Sequence, residues 1–185
     1  MIEAITAWEL QFLHFLSDGA TQASNVFWTL VTMFGEAGIF WIALALMLMF
    51  MKKTRRIGFA MGLTLLIGVI TVSGVLKPLV DRPRPYVADE GLKHLLAWGE
   101  MTSDASFPSG HTTASFGAAV TLFLNHKKWG IAALVLAVFV SLSRLFLVVH
   151  YPTDVLAGAV VGTCFALLSH YLIGLLWKKY GDKLS

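Results

Sequence analysis

Long apolar runs alternate with short polar interruptions along this chain, and the run lengths predict the elements. A hydrocarbon layer of ~30 Å is crossed by about 20 helical residues. Four stretches meet or approach that length: residues 37–51, 57–76, 129–149 and 155–177. A fifth, 110–124, is shorter and starts polar at Thr112, Thr113 and Ser115. Its apolar run from Ala118 to Leu124 and the basic stop His126-Lys127-Lys128 predict a span packed inside a bundle. Ahead of these, Ile5, Trp8, Phe12, Leu13, Phe15 and Leu16, then Val26, Phe27, Leu30, Val31 and Phe34, recur at roughly helical spacing among polar residues. That pattern predicts amphipathic helices over residues 1–36, lying along the membrane interface or dipping into it. A sixth span near residues 20–36 stays open. The predicted fold is all-α: one membrane domain over residues 1–185, a helical bundle of five transmembrane helices (six if that segment crosses), amphipathic N-terminal helices, and an extracytoplasmic loop at 77–109.

Charge orients the bundle, because cytoplasmic loops are enriched in Lys and Arg. Lys52, Lys53, Arg55 and Arg56 separate the first two spans, Lys127 and Lys128 the third and fourth, and Lys178, Lys179 and Lys183 follow the fifth. Alternating spans put all of these on one side, predicted to be cytoplasmic. The other side receives Lys77, Arg82, Arg84, Lys93 and Arg144 and, with the N-terminus outside, every acidic residue except Asp182.

Composition agrees. Hydrophobic residues are 57% and charged ones 14%, against roughly 25% charged in a soluble domain, and the mean hydropathy is +0.72. The net charge of +3 is not gathered on a basic face, which argues against a nucleic-acid partner. Cys164, the single cysteine, excludes a disulfide within the chain and a cysteine-based metal site, and reads as a small packing residue. Residues 1–51 hold no Lys or Arg, so no secretory signal is expected there. Gly158 and Gly162 form a small-xxx-small pair on the last span.

Three distant polar stretches fall at the non-cytoplasmic mouth of such a bundle. They are Lys77 to Arg84-Pro85, then Pro108-Ser109-Gly110-His111, then Ser143-Arg144 with His150 and Asp154. Three cations in one pocket can neutralise a phosphate or diphosphate without a metal, arginine with bidentate geometry. Ser109-Gly110-His111 opens a helix, where free N–H groups and the dipole favour an anion. Asp154, four residues beyond His150, can hold one imidazole nitrogen and leave the other free to attack. His111, from another helix, is then the natural acid for the leaving group. Taken singly, Lys77 and Arg84 read as interfacial residues, His111 as a helix cap, and His150 with Asp154 as a structural hydrogen bond or half a metal site. Arg144, buried five residues inside an apolar span at a cost of something like ~2.5–3.5 kcal/mol, demands a function more strongly.

Lys77-x6-Arg84-Pro85, Pro108-Ser109-Gly110-His111 and Ser143-Arg144-x5-His150-x3-Asp154 resemble the three-part signature of the type-2 phosphatidic acid phosphatase superfamily. The resemblance covers residues 77–154 closely and the flanking spans only in general character. It implies a helical bundle and metal-independent hydrolysis through a phosphohistidine, with no cofactor. His150 is then the nucleophile, Asp154 its orienting partner, and His111 the acid that later activates water. Lys77, Arg84, Ser109, Gly110 and Arg144 would hold phosphoryl oxygens. Arg82 is an extra arginine, expected in the headgroup layer or paired with Asp81.

The stretch from Arg84-Pro85-Tyr86-Val87 to Asp104-Ala105-Ser106-Phe107-Pro108 is similar to bacterial undecaprenyl diphosphate phosphatases, which recycle the cell-wall lipid carrier at the outer face of the plasma membrane. Alternatives within the same chemistry are phosphatidylglycerophosphate and phosphatidic acid. From another class, an anion transporter or channel would spread its charges toward the midplane. A metal site of His111, His150 and Asp154 would be opposed by three nearby cations. Soluble vanadium haloperoxidases resemble the same signature, but five apolar spans leave them no room. The loop 87–106 carries Leu92, Leu95, Leu96 and Trp98 among Asp89, Glu90 and Glu100. It reads as an interfacial lid that admits a lipid headgroup, or else as a solvated connector.

Overall fold

Each apolar run becomes a helix in the computed structural model, which describes residues 2–97 and 104–184, with side chains for 6–97 and 104–179. In chain order the helices are α1 (Ile2–Asp18), α2 (Gln22–Met33), α3 (Ile39–Phe50), α4 (Arg55–Thr71), α5 (Lys77–Val80), α6 (Pro85–Ala88), α7 (Gly110–Asn125), α8 (Lys127–Phe146) and α9 (Pro152–Leu184). A π-helical turn, Val72–Leu76, joins α4 to α5. No strand occurs among the described residues.

Among the described residues, four stretches are long and apolar enough to cross a membrane: Gln22–Phe50, Arg55–Ala88, Lys127–Phe146 and Pro152–Lys179. The fifth expected span, α7, has 16 residues and lies inside the bundle, packed on α4, α8 and α9. Its place explains its polar start. Unpaired hydroxyls are costly away from water, and here each finds a partner. Thr113 donates to Ser109 O (2.9 Å) and Thr121 to Gly117 O (2.8 Å). Ser115 accepts from Trp41 Nε1 (3.0 Å). Helix α9 approaches closely because Gly162 has no side chain: a Cβ there would stand 2.3 Å from Thr113 O. The small-xxx-small pair is therefore the α7–α9 contact.

The core holds Trp41, Met61, Leu122 and a set of alanines, Ala45, Ala118, Ala119, Ala133 and Ala137. Large apolar side chains such as Leu66, Ile70, Val135, Leu156 and Val160 face outward. A bundle bathed in lipid has that inside-out distribution.

The segment near residues 20–36 proves to be half of the first crossing. Trp28 of α2 stacks on Phe146 at the end of α8 (4.4 Å between ring centroids). Seven residues on, Gly35 lies against Val140, deeper along α8. A 3-10 turn, Glu36–Gly38, with Ala37 and Gly38 at positive φ (45° and 68°), kinks the chain there. Helix α3 then continues to the far end, where Ala45 and Met49 meet Gly58 of α4.

Helix α1 lies at the opposite end. Leu13 packs with Leu92, Val148 and Tyr151, while Trp8 and Phe15 are exposed, as an interfacial helix requires. The connection expected to be a loop from residue 77 starts later: Lys77 is still helical, and Pro85–Ala88 forms one further turn. Leu92 and Leu95 of the loop are packed against α1 and the turn before α9, which is more than a solvated connector would do. Trp98 and Glu100 lie outside the described residues.

Candidate active site

The start of α5, the residue before α6, the start of α7, the last turn of α8 and the turn that follows it surround a cavity of about 670 Å³, lined by Lys77, Arg84, Gly110, His111, Arg144 and His150. Six of the eight residues predicted for the site thus face one space. The other two, Ser109 and Asp154, are buried and do not line it. On its remaining sides the cavity is mainly apolar, with Met33, Ile42, Leu65, Val69 and Val72 beside Glu36, Asp104, Thr64 and Ser73.

Arg84, almost wholly buried, donates through Nη1 to Val149 O (2.9 Å) and through Nε to Asp104 O (3.1 Å). Its Nη2 reaches Asp104 Oδ1 at 2.7 Å, and Lys77 Nζ pairs with Oδ2 of the same carboxylate. Burial works to raise the pKa of Asp104, but Lys77 and Arg84 outweigh it and hold the carboxyl well below the usual range. Its anionic form is thus favoured in the fold, and the pairing is lost only as pH falls below the ordinary carboxylate range. An anion already sits between two of the three predicted cations. The third, Arg144, donates to Thr32 Oγ1 from Nη1, while its buried Nε has no hydrogen-bond partner among the described residues. A buried guanidinium with an unused donor at a cavity wall is suited to an anionic ligand.

His150 follows α8 in a tight turn in which Val148 takes a positive φ of 57°. Its Nδ1 lies 3.3 Å from Asp154 Oδ2, which also accepts from Tyr151 N (3.0 Å). With Nδ1 directed at a carboxylate, the proton belongs there and Nε2 is left with its lone pair. Nε2 lies 3.4 Å from Arg84 Nη1. Burial pushes the imidazole down to about 3, Arg144 and Arg84 acting the same way and Asp154 opposing them, so the ring is neutral near pH 7. A neutral ring is what nucleophilic attack needs.

Helix α7 opens at Ser109, whose hydroxyl accepts from Thr112 N (3.4 Å) and Thr112 Oγ1 (3.1 Å). Ser109 N donates to Asp154 O (3.0 Å), tying the starts of α7 and α9 together. The hydroxyl therefore caps the helix and is not presented to the cavity. Gly110 does face it, and a Cβ there would meet nothing within 4 Å, so the free space in front of the helix start is the cavity itself. His111 Nε2 lies 3.3 Å from Glu36 Oε2, a carboxylate delivered by the kink.

Several residues of this site were not among those predicted. Arg82 neither stays in the headgroup layer nor pairs with Asp81. It bonds Asp154 Oδ1 (2.7 Å), Thr153 Oγ1 (2.8 Å) and Glu9 Oε2 (2.6 Å), because a carboxylate as deeply buried as Asp154 needs a counter-charge. Glu9 and Glu36 also fall outside the predicted set. An acid isolated among apolar residues is itself a signal that a partner is waiting. No group of three metal-ligating side chains comes together among the described residues.

Comparison with known proteins places this geometry in context. The family model for the PAP2 superfamily matches residues 54–178. The chain is 33% identical over 130 residues to an undecaprenyl-diphosphatase of Sulfolobus acidocaldarius, covering 70% of this chain and 61% of that protein. It is 36% identical over 107 residues to a lipid A 4'-phosphatase of Bacteroides thetaiotaomicron, covering 56% and 48%. The chain thus spans less than two thirds of the length of either curated relative. A solved transmembrane PAP2-type phosphatidylglycerolphosphate phosphatase from Bacillus subtilis superposes with a TM-score of 0.71 at 25% identity, over 98% of this chain and 88% of that one. With its apolar helices and this likeness, the chain is an integral membrane protein.

Proposed function

The chain belongs to the PAP2 superfamily, and on that footing we propose that it hydrolyses a lipid phosphate or diphosphate at the extracytoplasmic face of the plasma membrane, with undecaprenyl diphosphate as the favoured substrate. The observation that carries this reading is the shared cavity: three cations, two imidazoles and an apolar wall around one space. Such a lining suits a headgroup with several negative charges on a hydrocarbon tail. An anion channel would instead need cations along the spans, and Lys77, Arg84 and Arg144 gather at one end. The basic residues of the α3–α4 and α7–α8 connections lie at the other end, which supports an outward-facing site.

In this mechanism His150 Nε2 attacks phosphorus while the bond to the leaving oxygen breaks, and Asp154 retains the Nδ1 proton. His111 gives its proton to the leaving group, then takes one from water as the water attacks the phosphohistidine. The P–N bond breaks and inorganic phosphate leaves. Lys77, Arg84, Arg144 and the first N–H groups of α7 at Gly110 neutralise the phosphoryl oxygens throughout. Ser109 serves by capping that helix start.

Purified protein in detergent, offered undecaprenyl diphosphate, phosphatidylglycerophosphate, phosphatidic acid and lipid A, is expected to release phosphate from the polyprenyl diphosphate with a kcat/KM higher by about tenfold or more. A clear preference for another lipid would overturn the substrate, and no release from any would overturn the activity. Excess EDTA is expected to leave the rate unchanged, and vanadate to inhibit.

Asp104 occupies the place of a phosphoryl oxygen between Lys77 and Arg84. Asp104→Asn is therefore expected to tighten competitive inhibition by inorganic phosphate about tenfold, the equivalent of ~1.4 kcal/mol. Unchanged inhibition would show that carboxylate and phosphate do not share that place.

A further inference from the structure

The shortest contact of the Asp154 carboxylate is not to His150 but to Arg82, at 2.7 Å against 3.3 Å. A guanidinium alone on Asp154 would cancel its charge, and a neutral pair stabilises a developing imidazolium poorly. The fold does not leave the pair neutral. Glu9 is fully buried and accepts from the other arm of Arg82 (Nη2, 2.6 Å). Its second oxygen accepts from Thr153 N (2.8 Å) and Thr153 Oγ1 (2.6 Å), and that hydroxyl also accepts from Arg82 Nη1 (2.8 Å). The guanidinium carbon lies 3.6 Å from the centre of the Tyr151 ring. Two carboxylates thus share one guanidinium, and the unit behind His150 keeps one net negative charge.

Glu9 sits on α1, outside the residues 54–178 that carry the family match. Among the described side chains no other contact of α1 reaches the His150 turn through a charge: Leu13 meets Val148 and Tyr151 through apolar atoms. We infer that Glu9 and Arg82 are positioning residues for the reaction, which keep Asp154 oriented and the His150 environment net negative, so that helix α1 belongs to the catalytic assembly. This rests on the phosphohistidine reading above. As His150 attacks, its ring gains positive charge, and the charge behind it stabilises the transition state more than bound substrate. Loss of Glu9 then lowers kcat and spares KM.

The test is single-turnover formation of the phosphoenzyme in full-length protein, with KM, kcat and thermal unfolding measured alongside. Glu9→Gln is expected to slow phosphoenzyme formation about tenfold or more, with KM within about twofold of wild type. Glu9→Asp, which keeps the charge, is expected to stay closer to wild type than Glu9→Gln. Arg82→Gln is expected to be slow as well, since two carboxylates are left facing each other. In the double variant Glu9→Gln/Arg82→Gln only Asp154 remains charged, and the combined loss is expected to be smaller than the product of the single losses. If Glu9→Gln does not fold, Thr153→Val removes the hydroxyl that bridges Glu9 and Arg82 without changing any charge, and is expected to slow the same step with KM unchanged. A Glu9→Gln protein that forms phosphoenzyme at the wild-type rate, or losses that multiply independently, would overturn the inference. So would a rise in KM with kcat unchanged. Wild-type protein run beside them separates the two readings: if it releases no phosphate from any lipid, the proposed function fails, whereas an active wild type with an indifferent Glu9→Gln sinks only the role of Glu9.

Discussion

Replacing His150 by alanine is expected to remove phosphate release and the covalent phosphoenzyme together, a loss of at least about a thousandfold. The expectation follows from the commitments of its neighbours. Ser109 offers its hydroxyl oxygen to Thr112, and Nε2 of His111 is turned to Glu36. His150 combines a nitrogen directed at a carboxylate with a second nitrogen directed toward the cations, beside Arg84. Rapid-quench measurement with labelled lipid checks both quantities in one experiment. An alanine variant that still forms the adduct would move the nucleophile to another residue.

The second large effect is expected from Asp154→Asn: a fall in kcat of roughly 10²–10⁴ with little change in KM. Both oxygens of Asp154 act as acceptors, Oδ1 from Arg82 and Oδ2 from Tyr151 N and His150. An amide can accept on one side only. If its NH2 meets His150, the ring proton is driven to Nε2 and the attacking lone pair is lost. If it meets Arg82, two donors oppose each other in a buried place, at a cost of about 1–3 kcal/mol. Steady-state rates on purified variant give the answer. A variant with intact kcat and raised KM would make Asp154 a substrate-binding residue.

Much of this was legible because lipid restricts the choices. Apolar runs of spanning length must be helices, alternation sends every second connection to one face, and that carries Lys77, Gly110, His111 and His150 to a common end before any coordinate is known. Helix α7 could be assigned in spite of its polar start from the apolar run Ala118 to Leu124 and the basic stop after it, and its hydroxyls bond within the protein. What escaped was pairing across long sequence distances. Nothing near Glu9 in the chain announces Arg82, and nothing near Glu36 announces His111, 75 positions away. The kink that aims Glu36, at Ala37 and Gly38, lies just after Gly35, where a Cβ would stand 2.8 Å from the His111 ring, a close approach that composition does not reveal. Asp104 was within sight, in the stretch that pointed to the substrate, yet its hold on both Lys77 and Arg84 is a property of the folded site.

The most direct test of the whole account is to quench the enzyme during turnover of a lipid diphosphate and map the phosphorylated residue by mass spectrometry under conditions that preserve phosphoramidates. The account predicts a single adduct, acid-labile and alkali-stable, on His150. An adduct on His111 or Ser109, or turnover with no adduct at any time after mixing, would contradict it.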